Sequence, residues 1–383
     1  MEKKINSKKL RGGKFKYVGK LSLYKIECLW YLLTKKGMKS ARNCLEVFLF
    51  SRESGLGLLD PILSRFPALI PYPSMIEIEV TTRCNFKCVM CEHTYWNIQE
   101  KDMSFEEFKQ IIDNFPKLKW VGLTGIGESF INKDYLDMLR YVKEKSIFVE
   151  LFDSLMLVNE KKAKELVEMC VDKIIISMEG ATKETYEKNR VGSNFDIVVR
   201  NIRNLIRIKK ELKSPIPELW THFIITKMNI HEMPAFVELI HSFGENEIKG
   251  IFFSKLLPFA EVKNIETDIP ADIREATVEK AKELGIYASW NENVITDQPI
   301  KNCVRWTEPF IKVEGFVQPC CAMNEMGEEK RNYIVRNSFG NVFKENFQDI
   351  WNSEAYRNHR DMIHNNEVPE ICRGCRVYMT YED

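Results

Sequence analysis

Three cysteines, Cys84, Cys88 and Cys91, stand in the stretch TTRCNFKCVMC directly after the run IEIEV. The run reads as a short strand, so the Cys-x3-Cys-x2-Cys set falls at a strand's C-terminal end, where open α/β sheets and barrels gather their chemistry. Thiolates so spaced wrap one loop round a metal centre. A cube of four irons held by only three of them keeps one iron open to an external ligand. Structural zinc is the alternative, but it asks for four protein ligands, and His93, the nearest extra candidate, lies only two residues past Cys91.

The remaining cysteines carry the reading further. The chain has 383 residues and eleven cysteines. Its basic first residues, MEKKINSKKLRGGKFKY, lack the apolar region and cleavage site of a secretory signal, so the cysteines point to metal or redox chemistry in the cytoplasm rather than to disulfides. Cys303, Cys320, Cys372 and Cys375 form a second set. Cys28, Cys44, Cys170 and Cys321 are left over, most simply as buried free thiols. No apolar stretch approaches the roughly 20 residues of a membrane-spanning helix, since Lys25 and Glu27 interrupt the best one.

The net charge of +1 conceals a split: residues 1–70 hold 15 Lys and Arg against 5 Asp and Glu, and the rest of the chain 41 against 50. A basic head carrying Trp30, Tyr31, Phe48 and Phe50 could meet anionic lipid or the acidic body, docking on the body being the plainer outcome. Nucleic acid is not an expected partner.

Leu23, Ile26, Trp30 and Leu33 recur at helical spacing, and a second apolar stretch runs from Ala41 to Ser51. Residues 1–74 therefore read as a basic amphipathic helical extension, closed by FPALIPYPS. From Met75 short β-rich runs alternate with charged helical stretches. IEIEV, WVGLTG, IFVELF, KIIISM, HFIIT and GIFFSKL are the expected strands, with helices between them near Ser104–Asn114, Lys133–Lys145, Asn159–Cys170, Phe195–Leu212 and Met233–Phe243. About six such units imply a parallel sheet with helices on its outer face, an α/β fold of the partial (β/α)6 barrel type over residues 75–262. A charged linker, 263–297, then leads to a small cysteine-dominated domain, 298–383.

At the first cysteine loop the chain resembles the radical S-adenosylmethionine (radical SAM) superfamily, in which the open iron chelates the amino and carboxylate groups of SAM and a 5′-deoxyadenosyl radical is made. Further positions follow from the resemblance. Met90 stands where the family sets an apolar or aromatic side chain against the adenine. LTGIGESF resembles the family's Gly-Gly-Glu-Pro segment, so Gly125, Gly127 and Glu128 would hold the SAM amino group, with Ser129 in place of proline. Glycines let the backbone come close, and a carboxylate pairs with an ammonium. In SMEGATKETYEKNRVG, Ser177 would meet the ribose or methionine part of SAM and Arg190 its carboxylate. Where the family often has Thr-Asn-Gly, this chain has Phe152-Asp153-Ser154-Leu155, and no contact is carried over from that segment.

The C-terminal part resembles the SPASM family and its shortened twitch form, through Cys303-x11-Gly315-x4-Cys320, the segment GNVFKENFQDIWNS and Cys372-x2-Cys375. The chain ends eight residues after Cys375, before the further cysteines of the two-cluster form. The resemblance thus implies one auxiliary 4Fe–4S cluster on Cys303, Cys320, Cys372 and Cys375, fully ligated and so an electron carrier. Cys321 could replace Cys320, and zinc is the alternative metal.

The chemistry leaves the substrate open. The leading expectation is a membrane lipid or lipid-like molecule undergoing C–C bond formation or desaturation, because the basic aromatic head would lie on an anionic bilayer and bring the site to alkyl chains. A peptide, as for many SPASM enzymes, is one alternative; a sugar or aminocyclitol alcohol to be oxidised or dehydrated is the other. Each needs a reductant such as ferredoxin or flavodoxin. The expected setting is an anaerobic cytoplasm, with residues 1–70 touching the inner membrane surface.

Overall fold

In IEIEV, Ile76 and Ile78 enter the main hydrophobic core while Glu77 and Glu79, also buried, face the opposite side. That two-residue period is what a strand with helices on one face and a polar lumen on the other requires. The computed structural model describes residues 23–50, 72–97, 99–256, 260–291, 307–321, 337–365 and 367–372. Its strands are β1 (Met75–Ile78), β2 (Lys87–Cys88), β3 (Trp120–Leu123), β4 (Phe148–Asp153), β5 (Lys173–Ser177), β6 (Arg190–Val191), β7 (Glu218–Ile225), β8 (Ile248–Lys255), β9 (Tyr287–Asn291), β10 (Phe310–Ile311) and β11 (Val317–Gln318). The large sheet runs β11-β10-β1-β3-β4-β5-β7-β8-β9, and β2 and β6 form a separate pair. β1, β3, β4, β5, β7 and β8 are all parallel, which is the six-stranded partial barrel expected from the sequence.

The helices are α1 (23–36), α2 (Met38–Phe50), α3 (Glu92–Tyr95), α4 (Phe105–Asp113), α5 (Tyr135–Glu144), α6 (Glu160–Met169), α7 (Lys183–Asn189), α8 (Phe195–Glu211), α9 (Met233–Ser242), α10 (Ala271–Glu283), α11 (Phe347–Trp351) and α12 (Glu354–His364). Their starts are written locally. Ser104 caps α4 in a full capping box with Glu107, and Asn159 and Asn194 cap α6 and α8, each satisfying backbone donors that a helix start leaves free. Their apolar stripes, such as Phe108, Ile111 and Ile112 of α4, meet the outward side chains of the strands in one core.

The lumen is filled at its base. A Cβ on Gly122 would meet the Trp120 ring at 2.5 Å, and one on Gly250 the Trp220 ring at 2.6 Å, so both indoles lie in notches that only glycine leaves open. Beside them Lys173 and Glu150 form a buried ion pair at 3.1 Å. The cysteine loop lies at the other end, after the C-terminal end of β1.

The described part of the basic head, residues 23–50, docks on the body. Cys28, Leu32, Ala41, Cys44 and Val47 of α1 and α2 pack against Trp120, Phe148 and Ile216 at the N-terminal end of the barrel. Lys25 reaches into that base and pairs with Glu218 at 2.5 Å. Burial alone would raise the Glu218 carboxyl, but Lys25 and Lys173 beside it hold it below its ordinary value. Tyr24 donates to the carbonyl of Pro215 at 2.7 Å, and Asn43 donates to that of Lys119 at 2.6 Å. Cys28, Cys44 and Cys170 are buried free thiols, as expected. Among the described residues no helix is long and apolar enough to cross a membrane.

The stretch read as a linker, 263–297, is built differently where it is described. It holds α10 and β9, which extends the sheet parallel to β8. The helix escaped notice because it buries only Thr277 and Ala281, too narrow a stripe to show as a period. The C-terminal part likewise joins the barrel sheet: β10 runs parallel to β1, and β11 turns back antiparallel to it. Gly315, at φ 85°, makes the turn between them.

Candidate active site

The loop from Thr81 to Cys91 is tied down from several sides. Arg83 donates its backbone N–H to Thr81 Oγ1 at 3.0 Å, and Thr94 donates to the carbonyl of Cys88 at 2.6 Å. β2 pairs with β6 so that Cys88 faces Arg190. Cys84, Cys88 and Cys91 share one small cluster with Phe86, Met90, Leu256 and Val262. Met90, expected against an adenine, is buried there, as an ordinary core methionine also would be. Burial raises all three thiols, Cys88 to about 12, so a bound cationic metal is what would hold them as thiolates.

Among the described residues no three Cys, His, Asp or Glu side chains close round a single ion. A four-iron cube offers its ligand sites at separate corners, so its thiolates need not converge on one point. His93, the nearest extra zinc ligand in the sequence, has its Nε2 at 3.0 Å from the carbonyl of Thr82 and serves as a clamp on the loop. The three thiols, in one buried loop beside a barrel mouth, fit a cluster better than a mononuclear centre.

Gly125 and Gly127 sit close to protein. A Cβ on Gly127 would lie 2.4 Å from the carbonyl oxygen of Thr81 and 2.7 Å from that of Arg83, and one on Gly125 would lie 2.6 Å from Glu79 Cγ. Gly127 thus lets this loop press against the backbone just before Cys84, and Gly125 lets it press against the Glu79 side chain. Glu128 follows, its N–H donated to the carbonyl of Arg83 at 2.8 Å. Its side chain is 5% exposed, and its Oε1 has no hydrogen-bond partner.

Asp153, at the end of β4, is a residue the sequence reading passed over. It is buried, with Oδ1 accepting the Leu155 N–H at 2.7 Å and Oδ2 without a partner. Burial raises its carboxyl well above the usual range, and the neighbouring Glu128 carboxyl adds to the rise. Leu155 beside it adopts φ 60°, a left-handed backbone that costs a branched residue about 1–2 kcal/mol. Two buried acids with unpartnered oxygens at adjacent strand ends make a ready place for a cationic group.

Ser177 is half-buried at the end of β5, opposite His222 in β7. Arg190 is engaged by buried Glu179, through Nε to Oε2 and through Nη2 to Oε1 at 3.1 Å. Burial would lower the guanidinium's pKa, but Glu179 and then Cys88 raise it well above its ordinary value. His222 meets Ser254 Oγ at 2.8 Å and faces the edge of Phe152. Burial lowers its pKa, keeping the imidazole neutral. Alternation places Phe152, Ser177, His222 and Ser254 on the lumen side of their strands, since Leu151, Ile176, Phe223 and Phe253 lie in the outer core.

In the C-terminal set, Cys320 and Cys321 follow β11, and Cys372 is buried. Cys303 and Cys375 lie outside the described residues. Cys320 is buried and Cys321 half-buried. Tyr356 stacks on Phe339 at 4.0 Å and has Arg360 over its ring at 5.0 Å.

Comparison with known proteins places two family models on this chain. Residues 78–240 match the Radical SAM superfamily, and residues 303–376 match SPASM, an iron-sulfur cluster-binding domain. The chain is 26% identical to the tungsten-containing aldehyde ferredoxin oxidoreductase cofactor-modifying protein of Pyrococcus furiosus, over 79% of this chain and 87% of that one. It is 21% identical to mycofactocin maturase MftC of Mycobacterium tuberculosis, over 83% and 79% of the two chains. In structure it is similar to Streptococcus suis SuiB bound to S-adenosylmethionine, with a TM-score of 0.59 at 15% identity, covering 87% of this chain and 79% of SuiB.

Proposed function

This chain is a radical SAM enzyme with a SPASM iron–sulfur domain, and from that we propose that it is a maturase acting on a peptide or a peptide-borne cofactor precursor. Its cofactors are SAM and two 4Fe–4S clusters, one binding SAM and one auxiliary. We assign the first to Cys84, Cys88 and Cys91, and the second to Cys303, Cys320, Cys372 and Cys375 in a C-terminal domain, 298–383, that follows the barrel. When bound, the reduced cluster and SAM together supply a 5′-deoxyadenosyl radical that removes a hydrogen atom from an unactivated carbon.

The chain's own residues position that event. Glu128 would offer its unpartnered buried oxygen to the SAM ammonium, Gly127 lets the loop carrying Glu128 lie against the start of the cysteine loop, and Met90 would shield the adenine side. Arg190, oriented by Glu179, would face the SAM carboxylate, and Ser177 would meet the ribose side. The filled barrel base excludes water from below, so a reactive carbon would meet the radical only through the open end.

The observation that carries the peptide reading is the polar lumen wall: Phe152, Ser177, His222 and Ser254 alternate ring and hydrogen-bonding group, which suits amide-bearing side chains better than alkyl chains. The names of the relatives support it. MftC is a maturase, and SuiB has been crystallised with a precursor peptide. The lipid-like substrate is the weaker reading, since Lys25 is turned into the barrel base and one face of α1 and α2 is covered by the body.

The test is substrate-dependent SAM cleavage by anaerobically reconstituted enzyme. Candidate precursor peptides, above all any short peptide encoded beside the enzyme, are compared with anionic lipid vesicles. A peptide carrying deuterium at the abstracted position should pass it into 5′-deoxyadenosine. Stimulation by lipid with no response to peptide would replace this reading with the lipid one.

A further inference from the structure

Tyr356 and Arg360 stand one turn apart on α12, so both project from one face of the helix. Phe339 stacks on the Tyr356 ring, and its N–H donates to the carbonyl of Val317 at 2.9 Å, three residues before Cys320. Trp351 meets Tyr356 edge-on at 4.8 Å. Two donors on that face have nothing to donate to. The Tyr356 hydroxyl is buried without a partner; Arg360 donates Nη2 to the carbonyl of Trp351 at 2.9 Å, but its buried Nη1 has none. The guanidinium stands over the Trp351 ring at 4.2 Å, and among the described residues no carboxylate pairs with it. Burial lowers its pKa, Tyr356 and exposed Asp361 oppose this, and exposed Arg357 adds to it. Burial raises the Tyr356 phenol, Arg360 opposes the rise and Cys320 adds to it, so the phenol, the guanidinium and this cysteine lie within electrostatic reach of one another. Buried donors, and a buried cation above all, are ordinarily paired. This face therefore suits an anionic acceptor that the polypeptide itself does not supply.

We propose that Tyr356 and Arg360 donate hydrogen bonds to the sulfur of the auxiliary cluster, either the Cys320 thiolate or a bridging sulfide, and thereby raise its reduction potential. The inference rests on assigning that cluster to the C-terminal cysteines, within the matched iron–sulfur domain of residues 303–376. A cluster held by four thiolates is an anion, and reduction adds one more negative charge to it. A fixed cation and a fixed phenol donor stabilise the reduced form more than the oxidised one, and hydrogen bonds to sulfur are among the means by which a protein sets such potentials. The aromatic packing of Phe339, Trp351 and Tyr356 supplies the rigidity that this needs, since a donor free to turn away would be worth little. Arg360 and Tyr356 thus make the cluster a readier electron acceptor without ligating it.

The experiment is a potentiometric titration, followed by electron paramagnetic resonance, of anaerobically reconstituted full-length enzyme and its R360M, R360K and Y356F variants, with iron and zinc counted in each. Added SAM changes the signal of the SAM-binding cluster and so tells the two clusters apart. R360M should lower the auxiliary potential by about 59 mV or more, a roughly tenfold change in a one-electron equilibrium, and leave the SAM-responsive potential where it was. R360K should recover most of that shift, and Y356F should show a smaller one of the same sign. An auxiliary potential unmoved in R360M, an equal shift at both clusters, or an R360K as far displaced as R360M overturns the inference. Should R360M fail to keep its second cluster, Y356F decides, because it removes a single oxygen: a lowered auxiliary potential supports the inference and a wild-type one overturns it. Two clusters with unmoved potentials overturn this inference alone, whereas zinc in place of the second cluster in the unmutated protein overturns the auxiliary-cluster reading and the inference with it.

Discussion

Among single residues, Glu128 and Asp153 carry the sharpest consequences, because both are carboxyls buried with an oxygen left over. Glu128→Gln replaces an ionic hydrogen bond to an ammonium by a neutral one. It should cost roughly 1–3 kcal/mol of SAM affinity, and dialysis against labelled SAM checks it. Asp153 predicts a pH effect in the SAM-free enzyme. Burial and then Glu128 raise its carboxyl well above the ordinary value. A carboxyl with a raised folded-state pKa contributes stability that is whole below its unfolded value, about 3.9, and is lost as pH rises through the folded one. The melting temperature should therefore drift down on this residue's account as pH rises above the unfolded value and through the raised folded one, and Asp153→Asn should flatten the drift. Equal slopes in the two proteins would show that the pair is already neutralised by a group other than a bound ligand.

At the scale of elements, much of the molecule was legible because its signals are local. The six barrel strands announced themselves as short β-rich runs between charged helices, and the cysteine loop needs only eight residues to state its spacing. What could not be read is whatever depends on strands lying side by side. Glu128 and Asp153 meet only because β3 and β4 pair in register, and Lys312 finds Glu79 across 233 residues of chain. The alternation in IEIEV did place Glu77 and Glu79 on one face, a signal that a polar lumen was present. α10 and β9 were missed for the opposite reason, a helix with almost no buried stripe. The loop contacts give a test at this scale. Gly127→Ala puts a Cβ against the carbonyls of Thr81 and Arg83, and backbone at the end of a paired strand yields little. The cysteine loop should be pushed away and the SAM-binding cluster lost, visible as a fall in bound iron. Gly285→Ala meets only open space, at φ 68°, and should cost about 1–2 kcal/mol of stability with the iron content unchanged.

For the whole molecule, the decisive matter is whether the basic head is a membrane attachment or part of the fold. α1 and α2 cover the base of the barrel with Cys28, Leu32, Ala41, Cys44 and Val47. Burying each larger apolar side chain is worth roughly 1.5–3 kcal/mol, and its partners Trp120, Phe148 and Ile216 would be re-exposed as well. Their sum is comparable with the whole stability of a typical domain, about 5–15 kcal/mol. Glu218 would also lose Lys25, leaving a buried carboxylate short of a partner, and Lys25→Met alone should cost about 3–5 kcal/mol by that route. Deleting residues 1–50 is therefore expected to give a protein that aggregates or melts far below the full chain, before any question of vesicles arises. The outward side of the same helices supplies the contrast. Trp30 is 67% exposed, with Leu23 and Ile26 on the same face, so Trp30→Ser should leave stability within about 0.5 kcal/mol while removing the strongest candidate for lipid contact. Thermal melts and co-sedimentation with anionic vesicles, run on both variants, separate the roles. A headless protein that melts like the full chain and keeps both clusters would mean that the base of the barrel needs no cover, and the lipid substrate would regain its support. Unstable deletion with unchanged vesicle behaviour in Trp30→Ser leaves the head as the floor of the barrel, and the specificity of the enzyme to its open end.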